Sequence, residues 1–260
     1  MTSASTELVL VEVADRVASV TMNRPEKRNA LSIDHMRALT RELRAIGEGR
    51  AAAVVVLKGA GPAFCAGHDL AELTGQGPDF YRRVFSLCTE LMETIQSIPQ
   101  PVIAQVQGIA TAAGCQLVAA CDLAVAADDA RFATSGINFG LFCATPGVPV
   151  SRNIAQKRAF EMLFTGEFID APTALAWGLV NRVVPQAGLD AATRALAGVI
   201  LAKPRAVVAA GKDFFYRQLE ASLEQAYAIA AVRITQNMLQ ADAQEGVGAF
   251  VEKRKPRWND

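Results

Sequence analysis

The sequence is poor in the residues that bind transition metals. Of its 260 residues only two are histidines, His35 and His68, and the five cysteines form no CxxC pair. Zinc and related metals need clustered histidine and thiolate ligands, so the sequence predicts no metal site. An odd number of cysteines without a secretion signal favours free, buried thiols over a disulfide framework.

Long apolar runs and an excess of charge of either sign are also absent. Lys and Arg together number 26, as do Asp and Glu, so no overall field attracts nucleic acid or a membrane. No apolar run reaches the ~18 residues of a membrane helix, because Asp122 and Asp128 interrupt the most apolar region. The start, MTSASTELVLVEV, lacks the features of a signal or transit peptide. We therefore expect a cytoplasmic protein without nucleic-acid or membrane partners.

Apolar residues, in contrast, are abundant. They make up 51% of the sequence, which is more than we expect the core of a single chain of this length to hold. Part of the apolar surface is therefore expected to lie between copies of the chain, in a homo-oligomer.

The order of the predicted elements indicates an α/β fold. The β-rich runs LVLVEV and VASVTMN, separated by ADR, predict a hairpin. From Ser32, the expected N-cap, apolar residues recur every three or four positions and predict a helix. Further strands are predicted at AAVVVLKG, VIAQVQG, LAVAA, ARFAT and VNRVVP, and further helices at 79–98, at 112–120 and through most of the chain from 151 onward.

The C-terminal part of the sequence is predicted to be helical. Residues 187–253 indicate three amphipathic helices, separated at the Lys-Pro pair 203–204 and near Leu219. We expect residues 1–186 to form the core that binds the substrate, and residues 187–260 to form a helical oligomerisation region.

Two glycine-containing segments indicate where a ligand binds. GAGPAFCAGHDL ends a buried strand, and small residues around Gly114 precede an apolar helix. The start of such a helix presents free N–H groups and the positive end of the helix dipole, which together bind anions. Gln116, one turn into this helix, is expected to face the bound ligand.

Four segments, in this order, resemble motifs of the enoyl-CoA hydratase/isomerase (crotonase) superfamily. They are RPEKRNALS, FCAGHDL, VQGIATAAGCQLVAACDLAVA and FVEKRKPRW. The resemblance covers nearly the whole chain. It implies a spiral of ββα units, a C-terminal helical part that forms trimers or dimers of trimers, and an acyl-CoA thioester as substrate. It implies no separate cofactor, since coenzyme A enters with the substrate.

The resemblance also implies how the thioester is held. In this family two backbone N–H groups bind the thioester oxygen, and by motif position they belong to His68 and Ala113. Such donors stabilise the charge that develops on this oxygen when an enolate forms. The family usually has glycine at the position of Ala113, and alanine keeps the N–H group. The His68 side chain is expected either to fill space or to approach the α-carbon of the substrate.

Further residues are expected, by motif position, to bind the substrate. They are Arg28, Ala30, Ala66, Asp69, Leu70, Ala71, Gly136, Cys143, Lys253 and Lys255. Asp69 is expected to hold its loop through backbone N–H groups, and Cys143 to lie near the acyl group. The two lysines of the tail either belong to a solvated basic segment or, by family position, reach CoA phosphates in a neighbouring subunit. Lys212 and Arg217 are expected on the polar face of a helix, without a role.

Two positions depart from the pattern of true hydratases, in which two glutamates hold a water and transfer its protons. The first glutamate falls at Gln116 and the second at Gly136. An amide can hold a water but cannot accept its proton at neutral pH. Each general acid–base group contributes roughly 10²–10⁴ in rate, so two-glutamate hydration is expected to be weak or lost. This pattern resembles the divergent branch of enoyl-CoA hydratase domain-containing proteins.

The sequence leaves more than one function open. The first is an acyl-CoA enzyme of this family whose oxyanion hole stabilises a thioester enolate, with decarboxylation or thioester cleavage as alternative reactions. The second is an acyl-CoA-binding protein without turnover. A nucleic-acid-binding relative is disfavoured because the chain is neutral and has no basic stripe interleaved with aromatic residues.

Overall fold

The structure, a computed structural model, describes residues 7–259 of the chain. The strands in this range are β1 (Val9–Ala14), β2 (Val17–Met22), β3 (Val54–Gly59), β4 (Val102–Val106), β5 (Ile109–Thr111), β6 (Leu123–Ala127), β7 (Arg131–Ala133), β8 (Ile169–Asp170) and β9 (Arg182–Val184). The helices are α1 (Ile33–Glu48), α2 (Leu70–Leu73), α3 (Pro78–Ser97), α4 (Ala113–Ala120), α5 (Ala144–Asn153), α6 (Gln156–Thr165), α7 (Ala171–Trp177), α8 (Leu189–Leu201), α9 (Arg205–Leu219), α10 (Leu223–Met238) and α11 (Ala241–Val251). Short 3₁₀ helices lie at Pro25–Lys27, Ser135–Phe139 and Gln186–Gly188.

The strands form two sheets. The larger sheet has the order β1-β2-β3-β4-β6-β9, in which β1 is antiparallel to β2 and the other neighbours are parallel. The smaller sheet has the order β5-β7-β8, with β5 parallel to β7 and β8 antiparallel to it. Strands of the parallel part follow one another through helices, as parallel neighbours require.

The chain repeats one path through these sheets. After β4 it enters the smaller sheet as β5 and continues into α4, and after β6 it enters the smaller sheet as β7. Two isolated β-bridges lie beside the smaller sheet. Cys65 pairs with Ala110 of β5, and Leu31 pairs with His68. This is the spiral of ββα units that the sequence resemblance implied, followed by a helical C-terminal region.

Two local predictions from the sequence are confirmed. The hairpin of β1 and β2 turns at Asp15 and Arg16, both with positive φ, which matches the twist of the flanking strands. The first long helix begins after Ser32, whose hydroxyl accepts a hydrogen bond from the N–H of His35 at 3.2 Å.

In the segment after β7, an α-helix begins earlier than the sequence predicted, since helices in this part of the chain were expected only from about residue 151 onward. Residues 144–153 form α5, which packs on α4. Pro146 lies in the first turn, where its missing N–H has no intrahelical acceptor. Pro149, further along, removes one helical hydrogen bond, but it is buried together with Val150. Packing against the rest of the protein therefore stabilises a helix that two prolines would disfavour in an isolated segment.

The C-terminal region contains four helices in the described range, where the sequence predicted three. The breaks at 203–204 and near Leu219 are confirmed, and a further break separates α10 from α11 at 239–240. Neither proline nor glycine stands at this break, so no local signal marked it.

Helix α8 covers one face of the larger sheet. Leu189 and Leu196 of α8 form a buried cluster with Val54, Ile103 and Val125 of the sheet. The neighbouring residues of the strands point to the opposite face, into the main core beneath α1, α3 and α4. The boundary at residue 187 stays a prediction, but α8 packs as part of the core.

The prediction that Lys212 lies on a solvated helix face is wrong. Lys212 of α9 is 8% exposed, and its ammonium donates hydrogen bonds to the carbonyls of Ile95 (2.8 Å) and Gln100 (2.9 Å) and to Asp122 (2.7 Å). Arg217, on the same helix, is largely exposed as expected and pairs with its own helix. The apolar period of the helix could not distinguish these two cations.

Asp122 joins the core to the C-terminal region. Its carboxylate accepts hydrogen bonds from the N–H of Val102 (2.6 Å), from Lys212 and from the hydroxyl of Tyr216 (2.7 Å). Burial lowers the pKa of the Lys212 ammonium, and the adjacent Asp122 carboxylate opposes that shift. Burial also raises the pKa of the Tyr216 phenol. The three groups thus satisfy one another where water is largely excluded.

We expect Lys212→Met to destabilise the protein by about 3–5 kcal/mol, because the Asp122 carboxylate then stays buried without its cation. Arg217→Met, the matched change on an exposed cation of the same helix, is expected to cost at most ~1 kcal/mol. Urea unfolding of both variants, at one protein concentration, measures the difference. Equal losses in the two variants would contradict the assignment, and Lys212→Met combined with Asp122→Asn should recover part of the stability.

Candidate functional site

A buried asparagine shapes the loop after β3. The Nδ2 of Asn29 donates to the carbonyls of Ala60 (2.9 Å), Ala63 (2.9 Å) and Phe64 (3.1 Å), while its Oδ1 accepts from the N–H of Arg24 (2.9 Å). Asn29 is fully buried and has a positive φ of 55°, a conformation that asparagine tolerates better than most residues. One side chain thus fixes the loop that leads to His68.

The loop and the start of α4 approach each other at two glycines. A Cβ on Gly114 would lie 2.0 Å from the carbonyl oxygen of Cys65, so no side chain fits there. Gly67 has a φ of +93°, and a Cβ on it would lie 3.0 Å from the Cβ of Ala112 and 3.4 Å from the nitrogen of Ala113. These contacts bring the peptide after Gly67 next to the first N–H group of α4.

Two backbone N–H groups are left free at this junction. Ala113 is the first residue of α4, so its N–H has no acceptor within the helix. The bridge to Leu31 uses the carbonyl of Gly67 and the N–H of Asp69 and leaves the N–H of His68 unused. Across residues 7–259 neither the N–H of His68 nor that of Ala113 donates to a protein acceptor. Ala112, with a positive φ of 50°, turns the chain sharply into the helix.

A cavity of about 320 Å³, here the main cavity, lies at these N–H groups. It is lined by residues of the segments 66–73, 112–113 and 135–146 together with Phe85. Most of the lining is apolar, and none of the lining residues is Asp, Glu, Lys or Arg. Two peptide donors at the edge of such a cavity can polarise a carbonyl oxygen without competition from an ionised side chain.

His68 also places its side chain in the wall of the main cavity. Both ring nitrogens are buried and lack a well-formed hydrogen bond among the described residues, while a contact with the Leu31 backbone opposes the effect of burial on the pKa of the ring. The ring meets Phe85 edge to face, with centroids 5.5 Å apart and an interplanar angle of 82°. Burial lowers the pKa of His68 from 6.5 to about 4, so the imidazole is neutral at neutral pH.

Gly136 and Cys143 close one side of the main cavity, at the position where the sequence resemblance places the second glutamate of true hydratases. A Cβ on Gly136 would lie 2.5 Å from the carbonyl oxygen of Leu141 and 2.8 Å from the Sγ of Cys143. The thiol of Cys143 thus stands where a side chain at position 136 would begin. Burial raises the pKa of this thiol, so it is not an activated nucleophile.

Gln116 does not line the main cavity, contrary to the expectation that it faces the ligand. It is buried, and its Oε1 accepts a weak hydrogen bond from the Sγ of Cys88 at 3.6 Å. Its side chain borders a second cavity of about 480 Å³ between α3, α4, α5 and α9. Thr145 lines both cavities. The helical spacing gave the position of Gln116 along α4 but not the direction of its side chain.

The residues expected in the FCAGHDL loop have two kinds of position. Ala66 and Leu70 line the main cavity. Asp69 caps α2 by accepting from the N–H of Ala71 (3.2 Å), and it pairs with Arg24 at 3.1 Å. Asp69 therefore contacts backbone and a cation, and it is not part of the cavity lining.

The segment RPEKRNALS packs beneath this loop. Arg28 is exposed, has a positive φ of 49°, and accepts a hydrogen bond from the N–H of Ala66 through its carbonyl at 3.0 Å. The carbonyl of Ala30 accepts from Arg24 at 2.7 Å. The sequence argument missed Asn29 and Arg24, although the asparagine stands inside the motif; only the tertiary contacts reveal their supporting function.

The tail lysines are not brought to the main cavity of their own chain. Lys253 and Lys255 are exposed and follow α11. The tail folds back on its own helices, where the N–H of Arg257 donates to Glu245 (2.8 Å) and the indole of Trp258 donates to the carbonyl of Ala202 (3.0 Å). Contact of either lysine with a ligand in a neighbouring subunit stays a prediction.

The described residues contain neither a membrane-spanning helix nor a cluster of metal ligands. No helix between residues 7 and 259 is long and apolar enough to span a membrane. In the same part of the chain, no three His, Cys, Asp or Glu side chains are grouped so as to hold a metal ion.

The spiral fold and the paired N–H donors define a protein of the crotonase class. A profile of the family "Enoyl-CoA hydratase/isomerase" matches residues 12–260, so the chain belongs to this family. The enoyl-CoA hydratase of Mycobacterium smegmatis is similar in structure, with a TM-score of 0.96 and 52% identity, covering 98% of this chain and 100% of that one.

Other similar proteins carry the name of the branch that the sequence pattern indicated. The mouse enoyl-CoA hydratase domain-containing protein 3, mitochondrial, is 46% identical over 94% of this chain and 82% of its own length. The crystal structure of the human protein of that name has a TM-score of 0.93 and 44% identity, over 96% of this chain and 100% of that one. The chain thus falls in this branch.

The name of the mouse protein places that protein in mitochondria. The cytoplasmic location expected for this chain therefore stays a prediction.

The two histidines predict how stability depends on pH. Burial lowers the pKa of both His35 and His68 from 6.5 to about 4. Below pH 6.5 the unfolded chain takes up protons that the folded chain does not, so stability falls as the pH drops toward 4.

Between about pH 7 and pH 5 each histidine should cost about 2 kcal/mol of unfolding free energy, roughly 4 kcal/mol in total. His68→Phe, which keeps an aromatic ring against Phe85, should remove about half of this loss. Urea unfolding at the two pH values measures both. A wild-type stability that does not change over this range would contradict the buried neutral state of the rings.

Proposed function

We propose that this chain binds an acyl-CoA thioester and stabilises the thioester enolate through the N–H groups of His68 and Ala113. The observation that carries the proposal is the pair of free backbone donors at the edge of a neutral, mostly apolar cavity. Membership of the enoyl-CoA hydratase/isomerase family supports the same ligand class.

The site can act on the thioester without an ionised side chain. Charge develops on the thioester oxygen when the α-carbon loses a proton or a carboxylate, or when a nucleophile adds in conjugation. Donors already fixed by the Asn29-supported loop and by α4 need no rearrangement as this charge grows, and loss of one such donor costs roughly 10²–10³ in rate. Ala66 and Leu70 line the cavity for the acyl group, and Arg28, Ala30, Asp69 and Ala71 are proposed to support the CoA part. No further cofactor is needed for this step.

Hydration by two carboxylates is proposed to be weak or lost. Gln116 has no proton-accepting group and borders the second cavity, and the backbone at Gly136 leaves no room for a side chain. The reaction is therefore proposed to be one that needs mainly the oxyanion hole.

The absence of a carboxylate from the cavity lining also favours a second candidate function, an acyl-CoA-binding protein without turnover. A turnover screen over a panel of acyl-CoA thioesters distinguishes the two candidates.

The assembly is proposed to be a trimer or a dimer of trimers. Leu223, Leu239 and Phe250 of the C-terminal region are 76%, 81% and 85% exposed in the single chain. Large apolar side chains with this exposure are typical of surfaces that another copy covers. Light scattering of the purified chain measures the mass of the assembly.

Isotope-edited infrared spectroscopy tests the two donors. Butyryl-CoA labelled with carbon-13 at the thioester carbonyl is expected to bind with micromolar affinity and to show a lower C=O stretching frequency than free butyryl-CoA, because hydrogen bonds polarise the bond. His68→Pro removes the donor and should lose a large part of this shift. His68→Ala keeps the N–H group and should retain the shift.

The matched pair of variants makes the outcome decisive. Equal shifts in His68→Pro and His68→Ala would show that this N–H group is not a donor to the thioester. Absence of any acyl-CoA binding to the wild type, measured by calorimetry, would overturn the proposed function itself. Since the N–H of His68 has no acceptor among the described residues, its removal costs no internal hydrogen bond.

Crotonyl-CoA hydration tests the missing carboxylates. We expect a rate about 10⁴-fold or more below that of an efficient hydratase, since two general acid–base groups are absent. Gln116→Glu alone should restore little, because the side chain borders the second cavity. Adding Gly136→Glu should not help unless the 141–143 segment moves, since its Cβ would meet the carbonyl of Leu141 at 2.5 Å.

The assay follows the loss of enoyl absorbance for the wild type, the single variants and the double variant. Fast hydration by the wild type would show that other residues supply the acid and the base. A double variant with more activity than the sum of the single variants would show that the 141–143 segment adapts and that both positions still face one water.

A further inference from the structure

We propose that Thr145 determines the length of the acyl group that this chain binds, because its side chain ends the main cavity on the side of the second cavity. The main cavity then takes short and medium acyl groups, and the second cavity stays closed to them. The inference rests on the proposed function, since it assumes that the main cavity holds the acyl group of a CoA thioester.

The two cavities follow each other along the helices that line them. On α3 the main cavity is lined by Phe85 and the second cavity by Thr89, one turn later. On α4 the same step leads from Ala113 to Gln116. Residues at this spacing lie on one face of a helix, and one turn advances by about 5.4 Å. The second cavity therefore lies about one helical turn beyond the main cavity on both helices.

Helix α5 supplies the residue at the boundary. The main cavity is lined by residues 144–146, and the second cavity by Thr145 and by Val148 and Pro149, one turn later. Among the described residues, Thr145 alone lines both cavities. Its side chain is therefore placed to form the wall that an acyl chain in the main cavity reaches.

The volume of the main cavity indicates how many carbons this wall allows. A protein cavity of about 150 Å³ holds a benzene molecule. The main cavity, of about 320 Å³, has about twice that volume and holds about twelve non-hydrogen atoms. A thioester group with an acyl chain of about eight carbons fills this space.

The second cavity is chemically unsuited to the end of an alkyl chain. Its lining includes the charged residues Glu93, Asp122 and Arg152, whereas the lining of the main cavity includes none. Gln116 is 3% exposed and lines the second cavity, and its Nε2 donates to no acceptor in the described part of the chain. An alkyl chain against this amide would leave a buried donor without a hydrogen bond, which is destabilising.

Calorimetry with butyryl-, octanoyl- and dodecanoyl-CoA tests the length limit in the wild type. Each methylene that enters the cavity should strengthen binding up to about fourfold. Octanoyl-CoA is therefore expected to bind about 30-fold or more tightly than butyryl-CoA. Dodecanoyl-CoA should bind within about threefold of octanoyl-CoA, because its last carbons find no further cavity.

Two substitutions at Thr145 move the limit in opposite directions. Thr145→Ala removes part of the wall and should strengthen the binding of dodecanoyl-CoA about 10-fold. Thr145→Leu extends the wall into the main cavity and should weaken the binding of octanoyl-CoA about 10-fold. Butyryl-CoA should bind to both variants as to the wild type, which also shows that they are folded.

The matched control is Thr89→Ala, which shortens a threonine that lines the second cavity and not the main one. Its affinities for the three thioesters should equal those of the wild type. Affinity that keeps rising to dodecanoyl-CoA in the wild type overturns the inference, as do equal length profiles in Thr145→Ala, Thr145→Leu and Thr89→Ala. Either result leaves the proposed function standing, whereas the absence of binding by any thioester means that the proposed function fails first.

Discussion

The close approach of one loop to the start of α4 is the constraint on which the rest of this structure depends. The carbonyl of Cys65 lies so near Gly114 that a Cβ there would come within 2.0 Å, and Gly67 passes Ala112 with a left-handed backbone. This contact leaves two backbone N–H groups free beside a cavity. Even Ala112 adopts a positive φ to maintain it. Because free peptide donors are costly to leave in an apolar site, their presence here is the strongest sign of a ligand.

Buried polar side chains fix both parts of that junction, the loop after β3 and helix α4. Asn29 fixes the loop through three carbonyl groups, while Asp122 follows α4 and connects it to β4 and to Lys212 of α9. Asp122 pairs with Lys212 behind α4, Asp69 pairs with Arg24 beside the loop, and the lining of the main cavity itself carries no ionised side chain. Backbone donors act most strongly where the surroundings are dry.

The lining of the main cavity carries no carboxylate, which favours the proposal that two-glutamate hydration is weak or lost. Gln116 contacts Cys88 and borders the second cavity, and Cys143 fills the space next to Gly136. With no carboxylate in its lining, the main cavity offers a ligand two backbone donors and mostly apolar walls. The proposed chemistry of the site therefore depends on these donors.

The sequence by itself determined the local elements and the identity of the junction. Hydrophobic period and the cap at Ser32 predicted individual strands and helices of an α/β fold. The resemblance carried by the four motifs implied the ββα spiral and the positions of His68 and Ala113. Local patterns act within a few residues, so they could not show that Lys212 is buried against Asp122, ninety residues earlier in the chain, or that α5 forms despite its prolines. The direction of Gln116 and the lack of space at Gly136 were likewise decided only in the tertiary structure, because both depend on backbone and side chains that distant segments bring into contact.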